Sequence, residues 1–415
     1  MVVVRPFKAI RPIKSLASKI ASLPYDVMDS EEAREIAKGN PYSFLHIDKA
    51  EIDLDTNIDV HDKRVYEKAR DNLNKMIKNG EFIQDKEDYF YIYRQIMNGR
   101  EQVGLVFTAS IDDYINNVIK KHEFTRADKE QDRVNHVDYC NANTGPIFLT
   151  YRKNVEVSNI IKRYVEKEAE YDFYSEDGVR QSVWIINDKK DIEFLMKLFK
   201  TIDSMYIADG HHRCESAAKV AKMRRLDNPN YKGDEEFNYF LAVAFPDEDL
   251  CIMDYNRVVK DLNGLTKTEF IKKISEDFNV SKYNGDGGYK PNKKHVFGMY
   301  LEKEWFILEA KKNSFDENNL IERLDVSILQ KNLLEKVLNI KDIRTSDRID
   351  FIGGIRDIKE LERRVNKDMK VAFSMYPTDI RDVMDISDIN EVMPPKSTWF
   401  EPKLRSGLFI HKLSE

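Results

Sequence analysis

Asn98-Gly99 narrows the fold more than any other pair in the chain. It lies between two runs of strand-forming residues in YFYIYRQIMNGREQVGLVFTAS (89–110), and such a pair is the strongest short signal for a β-hairpin. Asp177-Gly178 repeats the pattern within FYSEDGVRQSVWIIND (173–188), and DIEFLMKLFKTI, from Asp191, reads as the helix that follows. Upstream, HDKRVYEKARDNLNKMIKNG (61–80) sets Val65, Ala69, Leu73 and Ile77 at four-residue steps and closes on Gly80, which predicts an amphipathic helix. SMYIADG reads as a short buried strand, and FNYFLAVAFPDEDL (237–250) as a second that ends at Pro246. Helix-period and strand-period segments interleave with no internal repeat, so the class is α+β.

At 415 residues the chain is long for one compact core, which predicts two domains. The first is expected over residues 1–260. From residue 261 the texture becomes a compact alternation: TKTEFIKKISEDF as a helix, HVFGMYL and EWFILEA as a hairpin, DVSILQKNLLEKVLNI as a helix, then RIDFIGG, KELERRV and KVAFSMY. That alternation predicts a two-layer α+β domain over 261–385. Residues 386–415 contain MPPKSTWFEPKLRSGLF (393–409) and are expected to form a loop and strand returning to the core.

Composition excludes several classes. Apolar residues are 41% of the chain and include 22 Phe and 20 Tyr, enough for a real core. Lys and Arg number 67 against 73 Asp and Glu, and neither sign gathers into a block, so no basic stripe for nucleic acid stands out. Cys140, Cys214 and Cys251 form no CxxC pair, which argues against a disulfide framework and suits a reducing cytoplasm. No apolar run approaches the ~20 residues of a membrane span.

The segment with most chemistry is MYIADGHHRCESAAKV (205–220). A strand followed by Asp-Gly and a helix places free amides and the positive end of the helix dipole where an anion can sit. Arg213 adds a planar fork for phosphate oxygens, while His211 and His212 can donate to phosphates or orient an attacking group. The same residues serve equally well if Asp209 only caps the helix and the histidines cover its exposed first turn. Spacing leaves both readings open. Zinc is less well suited, because adjacent histidines on a helix point roughly 100° apart.

KKHEFTRADKEQDRVNH (120–136) gathers Lys121, His122, Glu123, Thr125, Arg126, Lys129, Asp132, Arg133 and His136 with little apolar content. It reads as a solvated face, or as an acid–base pair of His122 and Glu123 with Arg126 and Arg133 neutralising phosphate. Lys396, Ser397 and Thr398, with Lys403 further on, read either as a rigid surface loop or as anion contacts. In LPYDVMDSEEAREIAKGNPYSFLHI (23–47), Asp26, Glu31, Glu32 and Asn40 are expected to cap a short helix.

The order LPYDV, NPYSFLHI, KKHEFTR with Asp132-Arg133, GPIFLTY, ADGHHR and MPPKSTWFEPKLRSGL resembles, over nearly the whole chain, the bacterial and archaeal family catalogued as domain of unknown function 1015. Within it, Gly210 to Arg213 is similar to the Gly-x-x-Arg phosphate-binding turn of the ParB/sulfiredoxin fold. The resemblance therefore implies a mixed-sheet ParB/sulfiredoxin-like nucleotide-binding core with a second two-layer α+β domain. His211 stands where the sulfiredoxin form has its reactive cysteine, and the second arginine and helix-turn-helix partner of the chromosome-partitioning form are absent. The Asp-Gly-His-His-Arg version is instead similar to free-serine kinases, which transfer phosphate from a nucleotide to L-serine; relatives are also encoded beside serine-biosynthesis enzymes. Where relatives commonly carry Pro-Thr-His-Arg, this chain reads Met253-Asp254-Tyr255-Asn256-Arg257 and lacks the histidine.

The function so implied is a cytoplasmic nucleotide-dependent phosphotransferase acting on a small hydroxylated metabolite, with ATP or ADP and Mg²⁺. Gly210, His211, Arg213, Arg126 and Arg133 would hold phosphates, and Lys396, Ser397 and Thr398 would close the site. Glu123 would take the hydroxyl proton, with His122 and His212 in the catalytic set and Asp209 holding Mg²⁺ or orienting a histidine. The alternatives are a non-catalytic nucleotide-binding regulator and a ParB-like nucleic-acid-associated protein.

Overall fold

A computed structural model of the chain describes residues 1–125 and 127–414. They form two compact units: residues 1–250 together with the segment from Pro402 onward, and residues 251–401. The class is mixed α+β.

The first unit is built on one nine-stranded mixed sheet. In chain order its strands are β1 (Val4–Arg5), β2 (Phe90–Met97), β3 (Arg100–Ser110), β4 (Ile119–Lys120), β5 (Ile147–Tyr151), β6 (Tyr171–Tyr174), β7 (Arg180–Ile186), β8 (Met205–Asp209) and β9 (Tyr239–Pro246). Their order across the sheet is β4-β8-β5-β9-β3-β2-β7-β6, with β1 alongside β3. Asn98 (φ 52°) and Gly99 (φ 78°) take the left-handed dihedrals a tight hairpin asks for. That turn pairs Met97 with Arg100 and carries the register to Tyr91 opposite Val106. β8 runs parallel to β4 and antiparallel to β5, and its ladder to β5 slips between Ile207 and Asp209, just where the strand gives way to a helix.

Three helices hold the periodic and charged segments of the first unit: α1 (Lys63–Lys78), α2 (Ala127–Cys140) and α3 (His211–Asp227). On α1, Val65, Ala69 and Leu73 are buried as expected, but Met76 replaces Ile77 as the fourth core residue. At roughly 100° per residue, twelve residues from Val65 leave Ile77 about 120° off the stripe, whereas Met76 is only about 20° off. α3 buries Cys214, Ala217, Ala218 and Ala221 in one core with Ile147, Leu149, Ile207 and Ala242 of the sheet. These side chains are small and recur at helical spacing, so the helix can lie close to the strands. α2 packs along α3.

The short helix Ser30–Ala37 is capped by Asp29, which accepts from the Glu31 and Glu32 amides while Glu32 answers the Asp29 amide. Of the residues expected to cap it, Glu32 closes the capping box; Asp26 lies ahead of it and Asn40 beyond its end, donating to the Lys19 carbonyl. The segment after Pro402 is sewn into the same unit. Ser406 exchanges backbone bonds with Ser22 and Ile410 with Ile10, and His411 pairs with Asn143. Gly407 has φ 86°, and a Cβ there would lie 2.7 Å from the Phe44 ring, so only glycine suits the position.

The second unit holds a six-stranded antiparallel sheet of β10 (Tyr255–Val259), β11 (Phe278–Lys282), β12 (Val296–Leu301), β13 (Glu304–Ala310), β14 (Ile349–Gly353) and β15 (Val371–Ser374), in the order β11-β13-β12-β15-β10-β14. Cys251–Ile252 pairs with Phe400–Glu401 where the chain enters and leaves it. The helix expected from Asp325 is α-helical only to Leu329 and then widens to a π-helix over Gln330–Glu335. Leu333 with Leu334, and Val337 with Leu338, are all buried behind that wider turn. Among the described residues, no helix is long and apolar enough to cross a membrane.

Candidate functional site

β8 ends on Asp209, and Gly210 turns the chain with φ 92° into α3. The N-cap position belongs to Gly210, and no side chain caps the helix. Asp209 turns away: one carboxylate oxygen accepts from the Gly210 amide at 2.9 Å and the other meets Lys403 Nζ at 3.0 Å. The plain capping alternative for Asp209 is therefore not what the geometry adopts. The first-turn amides of α3 face outward from the strand end without a side-chain acceptor from Asp209. Burial works to raise the Asp209 carboxyl, but Lys403 and then Arg213 outweigh it and hold the group down at about 2.

β4, lying parallel to β8, delivers the next segment to the same place. The His122 and His211 rings meet edge to face, 4.5 Å between centroids and 88° between planes. Both imidazoles are buried. Burial pushes His122 down to about 4, against the pull of the Ile207 backbone and Asp209; burial and then His122 itself push His211 well below its usual range. Near neutral pH both are uncharged, so they orient and donate rather than neutralise phosphate. His211 Nε2 is buried with no hydrogen-bond partner among the described residues. Glu123 is half exposed, its carboxylate 4.0 Å from His211 Nδ1.

Beyond this pair lies a narrow cleft walled by Tyr25, Asp48, Arg133, Thr144 and Arg213. Arg133 lies over the Tyr25 ring at 3.9 Å and forks onto Asp132 at 2.9 and 2.7 Å. Burial opposes the charge of Arg213, yet Asp26, Asp209, Tyr25 and Asp48 around it more than offset this and raise its pKa. Arg213 gives one N–H to the Pro146 carbonyl but makes no ion pair among the described residues, and its Nε is buried without an acceptor. A half-buried guanidinium in this condition can take an anion as its partner. The open space in the cleft is about 20 Å³, room for little more than one water.

The fold thus brings Asp209, Gly210, His211, Arg213, His122, Glu123 and Arg133 to one end of the sheet in the first unit. His212 is half-buried on the first turn of α3, and its charge is felt by Glu130, which also holds Lys219 and Thr125. Arg126 lies outside the described residues. Lys396, Ser397 and Thr398 belong to the second unit. There the Lys396 carbonyl accepts from Arg257 at 3.0 Å, the Ser397 carbonyl from Thr378 at 2.8 Å, and the Ser397 hydroxyl donates to the Pro394 carbonyl. Pattern reading missed Lys403 as the partner of Asp209 and Tyr25 as the platform under Arg133. The first lies 194 residues away in sequence, and no local signal links the two.

Mg²⁺, expected on Asp209, meets a carboxylate whose oxygens are both engaged. Among the described residues no cluster of three His, Cys, Asp or Glu is arranged to hold a metal. A cation at Asp209 would have to displace Lys403, so the residues fit Mg²⁺ only when it arrives with phosphates that supply most of its ligands.

Comparison with solved structures finds several similar chains, each of these over 74% of this chain: a conserved hypothetical protein from Pyrococcus furiosus (13% identity, 94% of that chain, TM-score 0.35), free serine kinase in complex with AMP (15%, 91%, 0.35) and SbnI with C-terminal truncation from Staphylococcus aureus (10%, 86%, 0.36). No curated protein matches. The family described as Protein of unknown function (DUF1015) matches residues 4–327, and with the Asp209 to Arg213 turn and its buried neighbours inside that span, the chain belongs to this family.

Proposed function

We propose that the protein is a cytoplasmic nucleotide-dependent phosphotransferase, with ATP or ADP as donor and a small hydroxylated metabolite, L-serine first among them, as acceptor. The observation that carries this reading is Arg213: a half-buried guanidinium with no ion pair among the described residues, at the open start of a helix, in a cleft it shares with Arg133. Phosphoryl transfer asks chiefly for positioning and neutralisation of charge, and this end of the sheet supplies both.

In this reading Arg213, the Gly210 to His212 amides and Arg133 hold the phosphates, with Arg126 as a further candidate. Lys403 could exchange Asp209 for an incoming anion, and Asp209 would then be the residue to hold a Mg²⁺ arriving with the nucleotide. The metal supplies further neutralisation of phosphate charge. Glu123 takes the proton as the acceptor oxygen attacks the terminal phosphorus; the bond from that phosphorus to its bridging oxygen breaks, and the nucleotide leaves one phosphate shorter. Neutral His122 and His211 fix the place of Glu123, with His212 beside them. The ParB/sulfiredoxin likeness of the Gly210 turn and a place in serine metabolism belong to the same proposal.

Purified protein incubated with Mg²⁺, ATP or ADP and L-serine should form phosphoserine. Arg213→Ala should weaken nucleotide binding, whereas Glu123→Gln should spare binding and remove turnover; full rate in Glu123→Gln sinks the assignment of the base. A second reading, a nucleotide-binding regulator without chemistry, draws on the closure of the cleft and on the exposure of Glu123. Tight binding with no turnover across a panel of hydroxylated metabolites decides for it.

A further inference from the structure

The second unit contains a cavity of its own, about 340 Å³ in volume and walled by Lys294, His295, Arg323, Asp325, Tyr376 and Asp382. Its volume is that of a small-molecule pocket. Opposite charges stand side by side on its wall. Asp382, itself buried, has one oxygen 2.6 Å from Lys294 Nζ and the other 3.4 Å from Arg323 Nη2. Asp325 accepts the His295 amide at 2.8 Å through one oxygen, while its second oxygen is buried with no hydrogen-bond partner among the described residues. His295, which presents that amide, is held at φ 65° with its ring 4.5 Å from Phe315.

Arg257, 2% exposed, interacts electrostatically with Asp325. It donates to the Tyr255 and Lys396 carbonyls but makes no ion pair among the described residues; burial lowers its pKa to about 10, with Tyr255 and then Asp325 favouring its charge. Burial, with the nearby charge of Asp382, pushes the Asp325 carboxyl up to about 7, so two acids share this wall at the cost of one holding its proton. A lone anion entering the cavity would face Asp382 and Asp325. A lone cation would face Lys294 and Arg323. A molecule bearing both charges meets a complement for each, its ammonium facing the unpartnered oxygen of Asp325.

We propose that this pocket binds a small zwitterion with one ammonium and one carboxylate, the ammonium against Asp325 and Asp382 and the carboxylate against Arg323 and Lys294. Glu317 adds a further carboxylate on the ammonium's side of the charge balance, and Leu324, Tyr376 and Pro377 accept the carbon frame.

Calorimetric titration of the full chain with glycine, L-alanine and β-alanine tests this, with ethylammonium and propionate as single-charge controls. None of these probes carries a hydroxyl, so the outcome is independent of the phosphotransferase reading. At least one zwitterion should bind saturably, with both controls weaker by about tenfold or more. Arg323→Ala and Asp325→Asn should each weaken the bound probe by about tenfold, and Arg213→Ala should leave it unchanged. Circular dichroism reports whether each variant folds; should Asp325→Asn not fold, Arg323→Ala at the half-exposed rim still decides. Absence of saturable binding by every zwitterion overturns the proposal. So does equal binding of a single-charge control, unchanged affinity in Arg323→Ala, or loss of binding in Arg213→Ala, which would place the ligand in the first unit.

Discussion

Acidification should destabilise the first unit through His122. The imidazole is buried, and its pKa falls from 6.5 to about 4. Between those values the unfolded chain binds a proton that the folded chain refuses, so stability rises with pH across the window and is lost as pH falls through it. At about 1.4 kcal/mol per pH unit, the gap corresponds to roughly 3 kcal/mol for this one side chain. His211, pushed the same way and in ring contact with it, adds to the loss. The perturbation is His122→Gln, which keeps a polar group but removes the titration. Trp184 is the one tryptophan of the first unit, so urea unfolding is followed by its fluorescence with Trp305 and Trp399 changed to Phe. Between about pH 6.5 and 4, His122 protein should lose about 3 kcal/mol more than His122→Gln. Histidine-selective NMR supplies the direct check on 8 resonances, that of His122 assigned by its disappearance in the variant. Parallel loss of stability in the two proteins, or titration of His122 near its ordinary value, refutes the reasoning.

Lys403→Met removes the cation beside Asp209 and should cost about 2 kcal/mol, less than the 3–5 of a fully buried pair because Asp209 keeps 26% of its side-chain surface. A double-mutant cycle with Asp209→Asn measures it, and a coupling below about 0.3 kcal/mol would show that the pair does not matter. Gly407→Ala forces a Cβ to within 2.7 Å of Phe44 at φ 86°, and should cost more than about 2 kcal/mol. Limited proteolysis should then cut near residues 402–410 in native conditions; equal resistance in both proteins counts against the steric argument.

Short-range features were legible where local chemistry decides them. Asn98-Gly99 fixes its hairpin because those two residue types tolerate left-handed dihedrals that others resist. Pro246 ended its strand as expected. The stripe on α1 drifted by one residue only because a four-residue step outruns the helix period. In the candidate site, the residue types at Asp209 to Arg213 and at His122-Glu123 pointed to anion chemistry, but their burial did not follow from spacing. The solvated-face reading held for Glu123 and failed for His122, because β4 pairs beside β8 and turns that histidine inward. Lys403 stayed hidden because its partner is fixed by the path of the tail rather than by any neighbour in sequence.

That path sets an order of events during synthesis. Residues 251–401 separate the first 250 residues from the tail that pairs with Ala142–Asn143 and supplies Lys403. A ribosome therefore releases the whole intervening unit before Asp209 can acquire its cation partner, and any product terminated earlier carries Asp209 with no counter-charge from the tail. Excising residues 251–401 and splicing the flanks is accordingly a sounder route to an isolated first unit than stopping translation at Leu250, since Cys251 and Glu401 already lie opposite one another as paired strand residues.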